Sequence, residues 1–456
     1  MNYDLVVLGG GPGGCAAAFE GAALGLKIAL VERGPLGGVC LNWGCIPTKL
    51  FLGATAAIPA LKAQARLKLL DPASGMPVFD LPALQQRKAR LVNGSRQALA
   101  RRLAAAGVDV LVGSGRLCGP DSLEVSSGHD TRRIGFSRLI LATGSSPVSP
   151  RELAPDGCVL LNSTHLLDLT EVPESLLVIG GGAIGLELGE FFHRLGARIA
   201  LVEAGPHLLP AEDPELGKTL GSLLTRQRWT LRLGCAVASC VRDGNDARVR
   251  LTSGEELCAA KVLVATGRRP DCNALGLESA GIACDTSGFV VTDACLRANE
   301  TIYAIGDVNG RAMLAHAATH QASYAVRHAA GHVNTAYDPG PTPACVYGTV
   351  EVVRCGRGQH EYPAGHPGVR VSRSHMAANP IAQAAGEPQG YVKVVWENGR
   401  VRGISALGHD VTHLSALCAM IVKAGLTRAE AQDILFAHPT LEEALAEALL
   451  AESSPA

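Results

Sequence analysis

Charge of a single sign is missing from this chain: 41 lysines and arginines stand against 42 aspartates and glutamates, well mixed, for a formal net charge of −1. A nucleic-acid partner is met by a basic patch or stripe, and none is present. The basic region, apolar core and cleavage site of an export signal are missing too, since Met1-Asn2-Tyr3-Asp4 leads straight into an apolar strand. Long hydrophobic runs are absent, because glycine or charge interrupts each one short of a membrane span. Cysteine is not scarce, but the 14 residues are scattered and mostly flanked by apolar neighbours. In a large chain without an export signal they read as reduced core thiols. The expectation is a cytoplasmic protein with no nucleic-acid or membrane partner.

At 456 residues the chain has room for several domains, and its 53 glycines exceed what an average domain needs. Leu5-Val6-Val7-Leu8 has strand length and leads into Gly9-Gly10-Gly11-Pro12-Gly13-Gly14. An alanine-rich helix from Cys15 to about Gly25 follows, then a second strand closing on Glu32. Gly9 allows the tight turn, Gly11 lets backbone approach a pyrophosphate, and Gly14 lets helix pack on strand. The phosphates would meet the helix N-terminus, and Glu32 could hold a ribose diol. The unit recurs 171 residues later as Leu176-Leu177-Val178-Ile179, Gly180-Gly181-Gly182-Ala183-Ile184-Gly185, a helix, and a strand ending at Glu203. Both copies end in Ile-Ala-Leu-Val-Glu, with the first glycine and the glutamate 23 positions apart. Two such units predict two dinucleotides. Glu203 repels a 2′-phosphate and Ala204-Gly205-Pro206 has no arginine to receive one, which favours NAD over NADP.

Leu139 to Gly144 and Val262 to Gly267 are matching strand ends, and Ile302 to Asp307 is a further apolar strand ending in a carboxylate. From about Pro341 the pattern shortens and alternates, with helices near Leu414 to Lys423 and Leu441 to Leu450, which predicts a separate α+β domain. Gly53 to Leu70 reads as an exposed helix and Ala451 to Ala456 as a frayed tail.

Between the two units lies Gly37-Gly38-Val39-Cys40-Leu41-Asn42-Trp43-Gly44-Cys45-Ile46-Pro47-Thr48-Lys49. Cys40 and Cys45 could close a small disulfide ring, bind a soft metal, or be two apolar core residues. A metal asks for about four soft ligands and the segment supplies two, so none is expected. Pro47 suits the first turn of a helix, which would set Cys45 near a helix N-terminus and lower its thiol pKa. Near the other end, Ala437-His438-Pro439-Thr440-Leu441-Glu442-Glu443 contains a capping box, with Thr440 and Glu443 starting the helix that runs to Leu450.

The cysteine block resembles the redox-active segment of the flavoprotein disulfide reductases, and its wording is most similar to the dihydrolipoyl dehydrogenase group. The likeness covers essentially the whole chain, including the Ala-Thr-Gly-Arg-Arg-Pro stretch through Pro270, Gly306-Asp307 and the block around His438. It implies an α/β fold of two Rossmann-like domains, for FAD and NAD, plus a C-terminal α+β dimerisation domain. The implied boundaries are 1–145 and 269–335 for the two parts of the FAD domain, 146–268 for the NAD domain and 336–456 for the interface. FAD, tightly bound without a covalent link, would be held by Gly9, Gly11, Gly14, Glu32, Lys49, Ala142, Thr143, Gly144, Asp307 and Ala315. NAD would be held by Gly180, Gly182, Gly185, Glu203 and Gly267.

The resemblance also assigns chemistry. A Cys40–Cys45 disulfide would exchange with substrate sulfur at Cys40, while Cys45 would lie against the flavin as a thiolate. Lys49 and Glu187 match an ion pair beside the flavin, where a cation favours negative charge on the reduced ring. Taken alone, Lys49 is equally a surface lysine early in a helix. His438 matches an acid-base supplied by the other subunit of a homodimer, and Glu443 the carboxylate that orients it. Imidazole suits the removal of two protons from a dithiol near neutral pH. The implied activity is NAD-linked oxidation of dihydrolipoyl groups on the carrier domain of a 2-oxoacid dehydrogenase complex or of the glycine cleavage carrier protein.

This chain departs from the group at four places: Phe436 replaces a histidine, Tyr347-Gly348-Thr349-Val350-Glu351 replaces a Tyr-Thr-x-Pro-Glu run, and Ile381 and His413 replace an arginine and a glutamate. These bear on the carrier surface, the dimer contacts and the thiol substrate. The alternatives are another nucleotide-linked disulfide reductase, or a redox-idle flavoprotein serving as a complex subunit. Glu203 argues against an NADP-linked glutathione reductase, and the tail lacks the cysteine pair of mercuric reductases.

Overall fold

Leu5-Val6-Val7-Leu8 is apolar at every position rather than at alternate ones, the pattern of a strand covered on both faces. In the computed structural model, which describes residues 1–70 and 78–455, it lies within the strand Asn2–Leu8 at the middle of a parallel sheet. The chain forms two compact units, Met1–Pro47, Gln85–Val148 and Gly267–Pro339 in the first, and Thr48–Leu84, Ser149–Thr266 and Gly340–Ala456 in the second.

In the first unit the strand Asn2–Leu8 pairs in parallel with Ile28–Glu32 on one side and Asp130–Leu141 on the other. Val6 faces Ala29 and Leu139 across the two ladders. Asp109–Val112 and Ile302–Ala304 extend the sheet in parallel, whereas Ser122–Ser127 and Ser114–Leu117 continue it antiparallel. The helix Pro12–Ala23 begins three residues earlier than Cys15, because Pro12 is already preset for the first helical position. It packs on the helix Ala315–Ala329, and a Cβ at Gly13 would come within 3.2 Å of the Ala318 methyl.

The second unit repeats the parallel plan. Thr230–Leu233, Arg198–Glu203, Ser175–Ile179, Lys261–Val264 and Leu160–Leu161 lie side by side in that order. Its later residues form an antiparallel sheet of Ala344–Val346, Glu351–Gly356, Arg400–Gly408, Gly390–Glu397, Val369–His375 and Ser454–Pro455. The helices Ser415–Ala424 and Glu442–Leu450 cover it, burying Cys418, Ile421, Ala444, Leu445 and Leu449 against Val353, Val392 and Ile404. An α/β fold with Rossmann-like sheets is thus present, followed by the α+β segment.

Three expectations change. The stretch from Gly53 to Leu70 is two helices, since Gly53 and Ala54 end Cys45–Ala54 and a second helix spans Ala57–Arg66. The C-terminal residues are not frayed: Ser454 and Pro455 pair with Val371 and Arg370, and Arg370 donates to the Ser453 carbonyl; Ala456 lies outside the described residues. Gly38–Arg66 is long enough, and an 18-residue window within it apolar enough, to cross a membrane by length and composition. Gly44 and Thr55–Ala56 break that run into separate helices, and Phe51 and Leu52 are buried in the core of the second unit.

Lys393 lies buried in the second unit, its side chain 1% exposed. It donates to Asp213, to Glu215 at 2.8 Å and to Gln359 at 3.3 Å. Lys393→Met keeps the volume but leaves the Asp213 carboxylate buried without its cation. The expected loss is about 3–5 kcal/mol of stability, read as a lower urea midpoint at an unchanged slope.

Candidate active site

Both glycine turns are built by the same close contacts. Gly9 has φ +108°, and a Cβ there would stand 2.3 Å from the Ala142 carbonyl; Gly180, at φ +110°, would meet the Ala265 carbonyl at 2.4 Å. A Cβ at Gly14 would fall 1.8 Å from the Gly9 carbonyl and one at Gly185 2.2 Å from that of Gly180. Only glycine fits, so each helix starts hard against its strand. Gly11 and Gly182 are the N-caps and have no side chain to occupy the first-turn amides, which therefore remain available to an anion. No atom lies within 4 Å of a Cβ position at Gly182.

The glutamates that end the second strands are held alike. Glu32 accepts from the Gly10 and Gly34 amides at 2.5 and 2.7 Å, and Glu203 from Gly181 and Gly205 at 2.7 Å each. Each carboxylate thus sits beside its own glycine turn. In the first unit Ala142 supplies the carbonyl under Gly9, and Gly144 turns the chain at φ +76°. The buried Thr143 hydroxyl has no hydrogen-bond partner among the described residues. Asp307 accepts from Ser145 and faces Arg268 at 3.9 Å. Burial pushes the Arg268 guanidinium down, and the Asp307 carboxylate offsets part of that. Ala315 is the first residue of its helix, so its amide is one of those left without an intrahelical acceptor. Gly267 holds φ +135° and accepts from the Val148 amide. An orphaned hydroxyl and open helix N-termini fit a polar dinucleotide in these cradles.

Cys40 lies within the short helix Gly38–Trp43, half-buried, and Cys45 is the exposed first residue of Cys45–Ala54. Gly44 joins the helices, where a Cβ would be 3.0 Å from the Val39 carbonyl and 3.4 Å from the Cys40 Cα. The first-turn amides of the second helix favour a thiolate at Cys45. Asn42, between the cysteines, is buried and donates to the carbonyls of Gly38 at 2.7 Å and Leu36 at 3.1 Å, while accepting from Arg96. It ties the glycine approach to the thiol segment. Sequence reasoning passed over Asn42, although it stands inside the quoted block, and gave no role to Arg268, although it stands in the Ala-Thr-Gly-Arg-Arg-Pro stretch; Arg96 and Ser145 carried no local signal.

One turn beyond Cys45, Lys49 donates to Glu187 at 2.5 Å. The Tyr347 ring lies under the ammonium, 4.4 Å from it, and the Tyr347 amide donates to the other Glu187 oxygen at 3.2 Å. Burial pushes the Glu187 carboxyl up and Lys49 draws it back. In the same unit His438 Nδ1 bonds Glu443 Oε1 at 2.8 Å, and Glu443 Oε2 accepts from the Thr440 amide at 2.9 Å. A single carboxylate therefore serves both as orienting group and as half of the capping box. Thr440 Oγ1 turns instead to the Ala437 carbonyl. The Thr440 amide, and then His438, hold the Glu443 carboxyl below its usual range. An ionised carboxylate only accepts, so Nδ1 carries the proton and Nε2 is left as the base.

Lys49→Met should make stability pH-dependent. A buried carboxyl with a raised folded pKa loses stability as pH rises from its unfolded value through its folded one. The expected deficit is small at pH 5 and grows toward pH 8 to about 1–3 kcal/mol, less than for a fully buried pair because water reaches Lys49. Urea midpoints at the two pH values measure it.

Residues 3–322 match the family model described as pyridine nucleotide-disulphide oxidoreductase, and residues 342–449 match that family's dimerisation domain. A dihydrolipoyl dehydrogenase of Thermus scotoductus is 36% identical, covering 98% of this chain and 96% of its own. One from Chlorobaculum tepidum is 34% identical with the same coverage. Among solved structures, LpdA of Mycobacterium tuberculosis superposes with a TM-score of 0.89 at 26% identity, covering 98% of each chain. The HOCl-induced flavoprotein disulfide reductase RclA of Escherichia coli, in its Cu(II) complex, gives 0.87 at 26%, covering 98% of this chain and 99% of its own. With its paired glycine turns and its two-cysteine segment, the chain belongs to the pyridine nucleotide-disulphide oxidoreductase family, whose members carry out flavin-dependent thiol–disulfide chemistry.

Proposed function

We propose that the chain is an NAD-dependent dihydrolipoyl dehydrogenase, with FAD on the Gly9–Glu32 cradle and NAD on the Gly180–Glu203 cradle. The observation that carries the chemistry is Cys45 at the head of a helix with Lys49, bound to Glu187, one turn further on. The substrate reading is supported by full-length relatives at 34–36% identity that are dihydrolipoyl dehydrogenases.

In the proposed cycle the resting form holds a Cys40–Cys45 disulfide. His438 Nε2 takes a proton from a substrate thiol, and the thiolate attacks Cys40. The Cys40–Cys45 bond breaks and Cys45 leaves as a thiolate, stabilised by the helix amides. The second substrate thiol displaces Cys40, which takes up a proton, and the substrate departs as a cyclic disulfide. When bound, flavin and nicotinamide supply the acceptors for the resulting electron pair. His438 is 75% exposed, and in this reading it serves the thiols of a second copy, joined through residues 342–449. Thr143, Asp307 and the Ala315 amide would hold the flavin nucleotide. The Glu203 carboxylate would bond the adenosine ribose and repel a 2′-phosphate. A dihydrolipoyl carrier domain is the proposed macromolecular partner.

Purified protein is expected to be yellow and dimeric, and to develop a long-wavelength thiolate–flavin band with dihydrolipoamide or NADH. Cys45→Ser should abolish the band, and His438→Ala should lower kcat/KM for dihydrolipoamide by about 10²–10⁴. NADH should exceed NADPH by about tenfold or more in kcat/KM. Absence of both the band and NAD-linked turnover overturns the reading. Greater efficiency with glutathione disulfide, or with the Cu(II) seen in the RclA complex, would move the substrate elsewhere in the family.

A further inference from the structure

The turn that carries Cys40 is too short to hold itself. The helix Gly38–Trp43 has six residues, no side-chain cap at Gly37, and a glycine beyond each end. An isolated helix of that length is unfavourable, so its shape is set by what surrounds it. Asn42, 5% exposed, holds the turn from within. Its amide nitrogen donates to the Gly38 carbonyl at 2.7 Å and the Leu36 carbonyl at 3.1 Å, with the Pro35 carbonyl at 3.4 Å. The Gly37 amide between them donates to the Gly10 carbonyl at 2.8 Å. Gly38 stands against the same glycine turn, where a Cβ would fall 2.7 Å from the Gly11 Cα. Past the helix, Gly44 folds the chain back onto Cys40, a Cβ there standing 3.4 Å from the Cys40 Cα.

Arg96 decides which way the Asn42 amide points. Its Nε donates to Asn42 Oδ1. A guanidinium only donates, so the oxygen faces Arg96 and the N–H groups face the carbonyls. Arg96 lies on the helix Leu81–Ala105, three and seven residues before Leu99 and Leu103 and so on their face. Leu103 is buried, with Leu99 packed alongside, in the core that holds Leu5, Val7 and Leu30 of the parallel sheet. Two side chains thus fix the Cys40 turn relative to that sheet.

We propose, resting on the redox role proposed for the two cysteines, that Arg96, acting through Asn42, is a positioning residue that sets how readily Cys40 and Cys45 close to a disulfide. Closure takes two electrons and two protons from the two thiols and forms one S–S bond, while a disulfide serving as oxidant is reduced to two thiols. An S–S bond accepts only a narrow range of Cβ–S–S–Cβ geometry. Holding Cys40 in one backbone conformation beforehand reduces the entropy lost when the bond forms. Without Arg96 the Asn42 amide is free to turn, the Leu36 and Gly38 carbonyls lose their donor, and the dithiol gains over the disulfide.

The test equilibrates wild-type and variant holoenzymes anaerobically with reduced and oxidised dithiothreitol, quenches in acid, alkylates free thiols and reads Cys40 and Cys45 by mass spectrometry. Dithiothreitol reports on the pair whatever its natural substrate. Arg96→Leu should lower the closure constant about tenfold, the worth of a charge-assisted hydrogen bond, or about 30 mV for a two-electron couple. Arg96→Lys, which keeps a donor for Asn42 Oδ1, should recover most of that loss. Asn42→Asp keeps the partner of Arg96 and the side-chain volume but sets an oxygen against the two carbonyls, and should lose at least as much as Arg96→Leu. In an Asn42→Ala background, Arg96→Leu should add nothing. Closure constants unchanged by Arg96→Leu and Asn42→Asp, even with lowered urea midpoints, overturn the proposal, as do equal losses in the Leu and Lys variants or additive losses in the double variant. Each of these leaves the disulfide chemistry standing, whereas a wild-type pair that never closes overturns that chemistry and the positioning role together.

Discussion

The contact on which the rest depends is the closure of a helix onto the end of its own strand, with the Gly9 carbonyl 1.8 Å from where a Cβ at Gly14 would stand. No other residue type can occupy position 14 without pushing the helix off the sheet. Because the helix stays, its N-terminal amides face outward at the carboxyl edge of a parallel sheet, where a phosphate can meet them. The second unit depends on the same contact between Gly180 and Gly185. Two chain segments with different interior residues therefore present the same cradle.

A second constraint is that four glutamates, Glu32, Glu203, Glu187 and Glu443, each have both carboxylate oxygens bonded. Glu32 and Glu203 each take two backbone amides, one from the glycine turn and one from the loop that follows the strand. Glu187 takes Lys49 and the Tyr347 amide, and Glu443 takes His438 and the Thr440 amide. A carboxylate with both oxygens bonded does not swing, so whatever it faces is held in place too. Lys49 and the His438 imidazole acquire defined positions by this means, which is what proton and charge management requires.

Local signals made the nucleotide elements legible. Unbroken apolar strands, a glycine run and a closing glutamate depend on sterics within about 25 residues, and the strands Asn2–Leu8 and Ser175–Ile179 stand where those signals place them. Element edges were less legible. Pro12 opens its helix early because its φ is already helical, and Gly44 and Thr55–Ala56 cut one apolar run into three helices. The tail residues Ser454 and Pro455 look like a frayed end in sequence, yet the free edge of Val369–His375 offers them backbone partners. Within the candidate site, Tyr347 was visible only as a departure from a familiar run, and Arg96 not at all. Their roles arise from partners more than 50 residues away.

By itself the sequence determined what depends on a residue's own backbone freedom and chemistry: which turns admit only glycine, which strands are covered on both faces, and that two thiols stand five positions apart with a proline suited to a helix's first turn just beyond them. Tertiary structure alone decided what depends on distance. It settled that one Glu443 carboxylate bonds both an imidazole and a backbone amide, and that Asn42 ties the thiol segment to Arg96. The physical reason is that hydrogen bonds reach only a few ångströms, and which atoms come that close is fixed by the packing of elements far apart in the chain.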